Sequence, residues 1–206
     1  MKSYACVSKE TENEIVIEKS RFIGFSKRVE TEEEAREFIA KIKKLHPFAT
    51  HNCYAFISDN GAIARFSDDG EPQGTAGMPI LEVIKNKGLI NTAVVVTRYF
   101  GGIKLGAGGL TRAYSSSASE VLLKAGKDEF IYSSVFALTL PYDLYGGFEK
   151  FKNTFKCKVL STDFSGEVKI SLAVPEEDDF SKRATEFFIG KAKTEKVRTE
   201  FVNYEI

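Results

Sequence analysis

The sequence is poor in the residues that build metal centres and disulfide frameworks. Its three cysteines, Cys6, Cys53 and Cys157, are too widely scattered for a metal-binding spacing or a set of disulfides. Two histidines in the whole chain make a zinc site improbable. We therefore expect a protein of a reducing compartment that holds no metal and no cofactor.

An excess of one charge and long apolar runs are also missing. Lys and Arg number 29 and Asp and Glu number 29, so the net charge of +0 gives no support for wholesale coating of nucleic acid or adsorption to a membrane. No run approaches the roughly 18 apolar residues of a membrane helix. The first residues, MKSYACVSKETENE, lack the apolar core of a signal peptide. We expect a soluble, cytoplasmic protein with no membrane association.

Three familiar catalytic or nucleotide-binding motifs are absent. Lys104 follows a glycine pair, but no Ser or Thr comes after it, so there is no P-loop. Gly106-x-Gly108 leads to Thr111 where a dinucleotide-binding fingerprint needs glycine. The serine run 115–117 lacks the G-x-S-x-G elbow of serine hydrolases.

The most informative stretch is the glycine-rich segment AVVVTRYFGGIKLGAGGLTRAY, residues 93–114. Its β-branched first part predicts a buried strand ending at Phe100, and a helix follows that reaches about Ala125. Five glycines lie between and at the start of the helix: Gly101, Gly102, Gly106, Gly108 and Gly109. Free amide groups at a helix start suit a phosphate or carboxylate. Alternatively, these glycines only let the helix pack closely on its sheet.

Positive charge collects around this strand-to-helix junction. From Lys85 to Lys127 there are seven Lys or Arg residues against one acid, Glu120. The aromatic pair beside Arg98 resembles a base-stacking set next to a phosphate cradle, or forms the core at a strand end. The candidate ligand- or RNA-binding residues are Arg98, Tyr99, Gly101, Gly102, Lys104, Gly106, Gly108, Gly109 and Arg112.

A second candidate lies in the polar loop FSDDGEPQGTAGMPI, residues 66–80. Asp68, Asp69 and Glu71 suit either a hard cation or solvated turn positions, and no further oxygen ligands accompany them. Whether this loop meets the glycine junction stays open. His51 and Cys53, two apart on a predicted strand, form either a nucleophilic pair or a structural one.

The order of predicted elements indicates an α+β protein of two domains, 1–132 and 133–206. Thr31 and Glu34 form a capping box that starts the first helix. After residue 132 the pattern predicts strand Phe136–Leu140, helix Tyr142–Phe155, strands Lys158–Asp163 and Val168–Val174, helix Glu176–Ile189 and strand Val197–Tyr204. That βαββαβ order is typical of a ferredoxin-like domain.

Two long segments resemble the signature of the IMPACT (YigZ-type) family: FSDDGEPQGTAGMPIL and VVVTRYFGGIKLGAGGLTRAYS. HNCYAF, residues 51–56, fits the strand before them. The resemblance implies an N-terminal domain like domain 2 of ribosomal protein S5, as also found in elongation factor G. It implies a C-terminal ferredoxin-like domain, similar to another domain of that factor. Eukaryotic members regulate translation by competing for the activator of an initiation-factor kinase, and they use an additional RWD domain for this. We therefore do not expect that role for this protein. The resemblance supplies no catalytic residues.

Three functions follow as hypotheses, in order of preference. The first is a translation-associated accessory protein that binds RNA, the ribosome or another phosphate-bearing ligand at the glycine junction. The second is an enzyme that acts on a small phosphorylated ligand with the 66–80 loop. The third is a regulator that binds a protein partner through its C-terminal domain.

Overall fold

A computed structural model describes residues 2–175 and 179–204. The described chain is a mixed α and β protein with two antiparallel sheets and six α-helices. It separates into two compact units. One contains Tyr4–Glu129, and the other runs from Phe130 to the C-terminal strand and includes the residues before Tyr4. No helix within the described ranges has the length and apolar character needed to cross a membrane.

The first unit is built around one five-stranded sheet with the spatial order β2-β3-β6-β4-β5. Every neighbouring pair in it is antiparallel. Its elements in chain order are β1 Ser3–Val7, β2 Thr11–Ile17, β3 Ser20–Arg28, α1 Glu32–Leu45, β4 His51–Ser58, β5 Ile63–Ser67, α2 Gly77–Asn86, β6 Thr92–Tyr99 and α3 Gly106–Ala125.

The predicted central strand is β6, and its alternating side chains enter two different cores. Val94 and Val96 pack with α2 and α3 on one face of the sheet. Ala93 and Val95 pack with α1 on the other face. Because both faces are covered, the strand is apolar at every position from Ala93 to Val96, as expected for a strand buried on two sides.

The start of α1 carries the predicted capping interaction with one difference. The Thr31 hydroxyl accepts the Glu34 N–H at 3.3 Å. The Glu34 carboxylate accepts the N–H of Glu30, at 2.7 Å, instead of the N–H of the cap residue itself. Both bonds satisfy amide groups at the helix start, and three acids in the first turn also favour this end of the helix dipole.

The link from β6 to α3 contains several glycines, and the structural reason for a glycine differs from one position to the next. A Cβ on Gly101 would lie 2.0 Å from the Lys19 carbonyl carbon, so only glycine allows this close approach of two backbone segments. Gly106 has φ +69°, in the left-handed region that favours glycine. No side chain caps the N-terminus of α3, which begins at this residue. The residue before it, Leu105, is apolar and gives the first amide groups of α3 no side-chain cap.

The second unit has the predicted βαββαβ order, with one helix broken. Its elements are β7 Lys127–Leu140, α4 Tyr142–Tyr145, α5 Phe148–Lys152, β8 Lys158–Ser165, β9 Glu167–Pro175, α6 Phe180–Phe187 and β10 Lys193–Tyr204. In space the strands follow the order β10-β7-β9-β8. The single helix predicted over Tyr142–Phe155 was wrong, because Gly146 and Gly147 divide it into two short helices. The first three positions of the helix predicted over Glu176–Ile189, 176–178, lie outside the described residues.

Candidate functional site

The site begins with three side chains in a row across the sheet. In the antiparallel register Arg98 of β6 lies opposite Phe22 of β3 on one side and opposite His51 of β4 on the other. Directly opposed residues share one face of a sheet, so all three point towards α2 and α3. The row lies at the end of β6, where the chain turns into the glycine junction.

Arg98 is a buried cation, only 5% exposed. Its Nη1 donates to Oε1 of Glu71 at 2.6 Å, and Nη2 lies 3.5 Å from the Ser20 hydroxyl. The guanidinium also lies over the rings of Phe22 and Phe100, 5.4 and 5.5 Å from their centres. Its buried Nε has no hydrogen-bond partner among the described residues. The ion pair with Glu71 thus neutralises Arg98, which the sequence analysis proposed as a ligand-binding residue.

Glu71, at the other end of this ion pair, is held by two donors on a single oxygen. Oε1 accepts from Arg98 and from the hydroxyl of Tyr114, which is 2.8 Å away on α3. Burial raises the pKa of the Tyr114 hydroxyl far above its usual value. The phenol therefore stays protonated at all physiological pH values and remains a hydrogen-bond donor. The loop, strand β6 and helix α3 are joined at this one carboxylate.

The two neighbouring aspartates fix the loop that carries Glu71. The Asp68 carboxylate accepts the N–H groups of Gly74, Ala76 and Gly77 at 2.8–3.0 Å, which satisfies amides at the start of α2. The Asp69 carboxylate accepts the Asn52 N–H at 2.7 Å and pairs with Lys43 at 2.6 Å. Both aspartates are thus engaged in holding the backbone. Within the described ranges, no group of three or more His, Cys, Asp or Glu side chains is placed to hold a metal ion.

His51 is oriented by a backbone carbonyl. Its Nδ1 lies 2.8 Å from the carbonyl oxygen of Asp69, and since a carbonyl only accepts, Nδ1 carries the proton. Its Nε2 lies 3.9 Å from Oε2 of Glu71, too far for a hydrogen bond. The ring is therefore fixed with Nε2 directed towards the second oxygen of the carboxylate.

His51, Glu71 and Arg98 line a cavity of about 340 Å³ at the start of α3. Glu71 of the polar loop and Gly106 of the glycine junction lie in the same cavity wall, whereas Asp68 and Asp69 are not part of it. The lining residues are Thr50, His51, Glu71, Pro72, Arg98, Phe100, Lys104, Leu105, Gly106, Ala107 and Leu110.

The other residues proposed from the sequence lie elsewhere. Tyr99 follows Arg98 on the strand and so points to the opposite face, where its hydroxyl lies 2.9 Å from Nδ1 of His46. Arg112 and Gly109 line a neighbouring groove of about 490 Å³, which shares Lys104 with the first cavity. Gly101, Gly102 and Gly108 line neither space.

The position of His51 beside Arg98 was not predicted from the sequence, which suggested His51 only as a partner of Cys53. The Cys53 side chain is fully buried, and burial raises the pKa of its thiol to about 12. The Cys53 thiol lies 2.9 Å from the Asp68 carbonyl and helps to hold the same loop. The signal that would have found His51 is the strand register, which pairs it with Arg98.

The family of this chain follows from comparison with known proteins. The model of the Impact N-terminal domain matches residues 18–122, which include the whole cavity wall. IMPACT family member YvyE of Bacillus subtilis (strain 168) is 47% identical over 193 residues, covering 92% of this chain and 89% of the relative. IMPACT family member YigZ of Escherichia coli (strain K12) is 32% identical over 179 residues, covering 84% and 88%. The chain belongs to the IMPACT family.

One solved structure supports the fold over almost the whole length. It is described as a crystal structure of a hypothetical protein and matches with a TM-score of 0.61 at 29% identity. The match covers 96% of this chain and 98% of that chain.

The buried thiol of Cys53 is expected to be inert in the folded protein. Because its pKa lies near 12, it carries almost no thiolate at pH 8, whereas half-buried Cys157 is more accessible. Iodoacetamide at pH 8 should therefore modify Cys157 well before Cys53, as followed by peptide mass spectrometry. Labelling in urea is the control and should modify both; rapid labelling of Cys53 without urea would contradict the expectation.

Removal of the Glu71 carboxylate should destabilise the protein severely. Glu71→Ala leaves the Arg98 guanidinium buried without a counter-charge, which typically costs about 3–5 kcal/mol. The double variant Glu71→Ala/Arg98→Met removes both charges and should lose less stability than the single variant. Urea unfolding measures both, and an unchanged midpoint for Glu71→Ala would show that the ion pair is not important for folding.

Proposed function

We propose that this protein is a translation-associated accessory protein that binds a phosphate-bearing ligand, RNA or part of the ribosome, in the cavity at the start of α3. The observation that carries the proposal is the uncapped start of this helix, Gly106, which opens on the same cavity as exposed Lys104. A helix start offers amide donors and a partial positive charge, and the lysine adds a full charge. Together they suit a phosphate group.

The charge available to the ligand is smaller than the sequence suggested. Arg98 is already neutralised by Glu71, so Lys104 supplies the free positive charge of the cavity wall. Phe100, 47% exposed, offers a ring on which a base can stack. A ligand with one phosphate and one flat apolar group fits this wall better than a long stretch of backbone phosphates.

The proposed link to translation rests also on the domains. We assign the first unit to the fold of domain 2 of ribosomal protein S5 and the second to the ferredoxin-like fold. The βαββαβ order and the spatial order β10-β7-β9-β8 support the second assignment. In this proposal the second unit is a docking module for a protein partner, and the protein works in the cytoplasm.

Binding of RNA should depend on Lys104 and on salt. In fluorescence anisotropy with a short labelled RNA, Lys104→Ala should weaken binding at low salt. It should also reduce the slope of log affinity against log salt by about 0.7–1, the contribution of one phosphate contact. The matched control is Lys44→Ala, which removes an exposed lysine from α1, on the opposite face of the sheet. Affinity that is independent of salt, or equal effects of both substitutions, would contradict the proposal.

A second candidate function is an enzyme that acts on a small phosphorylated ligand. It is favoured by the joint presence of His51, Glu71 and Lys104 in one cavity wall, because an acid–base pair beside a phosphate-binding cation is a reasonable catalytic set. Incubation with nucleoside mono- and diphosphates, followed by ³¹P NMR, should then reveal a new phosphorus species that His51→Gln abolishes. The absence of any change with the wild-type protein would count against this candidate.

A further inference from the structure

Among the residues that the structure describes, no hydrogen-bond donor is paired with the second carboxylate oxygen of Glu71 in the cavity wall. Oε1 of Glu71 is satisfied twice, by Arg98 and Tyr114, whereas the contact recorded for Oε2 is Nε2 of His51 at 3.9 Å. The Glu71 side chain is only 4% exposed and belongs to the cavity wall, so a molecule inside the cavity can complete Oε2. A buried charged acceptor without a donor is costly, and such groups in a cavity wall are usually completed by a ligand or an ordered water.

The gap between Oε2 and Nε2 has the right size for one hydroxyl group. An oxygen atom about 2.8 Å from each of two atoms fits a separation of 3.9 Å, with the three atoms near a right angle. A hydroxyl both donates and accepts, so it can donate to Glu71 and accept from His51 when the imidazole is protonated. A phosphate has no comparable donor, and the carboxylate would repel its charge. This end of the cavity therefore selects a neutral donor.

The cavity wall thus carries two kinds of polar group. Lys104 and the N-terminus of α3 favour an anion, while Glu71 and His51 favour a hydroxyl, and the half-exposed ring of Phe100 belongs to the same wall. A ribonucleotide carries a phosphate, a hydroxyl-bearing sugar and a flat base in one small molecule. The volume of about 340 Å³ lies at the lower end of the range of ligand pockets, about 300–1,000 Å³, and so suits one nucleotide.

We infer that Glu71 and His51 bind the ribose 2′-hydroxyl of a single ribonucleotide unit whose phosphate lies at Lys104 and the start of α3. An acidic side chain that binds a ribose hydroxyl is a common solution in nucleotide sites, and the 2′-hydroxyl is what distinguishes RNA from DNA. This inference rests on the proposed function and specifies its ligand. The ribonucleotide is either free or part of an RNA chain, since both sources carry the same group.

The test compares ribose with deoxyribose on the wild-type protein. Four probes are titrated by calorimetry at one salt concentration: adenosine 5′-monophosphate, its 2′-deoxy analogue, a short RNA and a DNA of the same sequence with uracil retained. The ribose member of a pair should bind about 10- to 100-fold more tightly, because the deoxy ligand leaves Oε2 without a donor. Discrimination in the mononucleotide pair identifies a free nucleotide, and discrimination in the chain pair identifies RNA.

Two variants separate sugar recognition from phosphate binding. His51→Asn should reduce the ratio between ribose and deoxyribose ligands, since the shorter amide can keep the bond to the Asp69 carbonyl but leaves no group at the position of Nε2. Lys104→Ala is the matched control and should weaken both members of a pair by the same factor, leaving the ratio unchanged. Thermal melting checks that both variants are folded. Both variants keep the side chains of Arg98 and Glu71, and the comparison uses variants whose melting temperature stays close to that of the wild type.

The outcomes distinguish the inference from the function on which it rests. Equal binding of ribose and deoxyribose in both pairs overturns the inference and leaves phosphate binding intact. No binding of any probe overturns both. A ratio that survives His51→Asn but disappears in Lys104→Ala would also overturn the inference, because the hydroxyl would then be recognised at Lys104 and not at His51.

Discussion

The buried ion pair between Arg98 and Glu71 is the interaction on which the site depends. It joins the end of the central strand to a loop that has no regular structure of its own, at 2.6 Å and with both side chains almost fully buried. Burying two charges is expensive, and their attraction offsets the cost only when further hydrogen bonds complete the geometry. Here the Tyr114 hydroxyl completes one carboxylate oxygen, so helix α3 is also fixed by the same group.

This ion pair also changes the electrostatic character that the sequence suggests. The excess of basic residues between Lys85 and Lys127 predicts a strongly positive surface. The charge of Arg98, however, is neutralised inside the protein by Glu71. Arg112 lines a different groove from the cavity. What remains at the cavity is one exposed lysine and the start of a helix, in the same wall as a carboxylate. This mixture of charges is better suited to the small ligand that we propose than to a uniformly charged polymer.

The sequence predicted local structure well and long-range structure only in part. Capping at Thr31, the apolar central strand and the helix up to Ala125 are predicted from residues close together in the sequence, and all are present. The helix break at Gly146 and Gly147 was not predicted, because apolar residues continue at helical spacing on both sides of the two glycines. The ion pair and the row of Phe22, Arg98 and His51 depend on strand register and on a loop folding back, which a single sequence does not specify.

The glycines show how a packing role and a binding role can share one motif. Gly101 is required because the backbone near Lys19 leaves no room for a Cβ, which brings β6 against the turn before β3. Gly106 is required by its positive φ, which lets α3 start without a capping side chain. The first constraint is close packing of two backbone segments, and the second is the backbone conformation at the start of α3. Gly106 also lines the cavity, so the structural role of these glycines is compatible with the binding role that we propose for the junction.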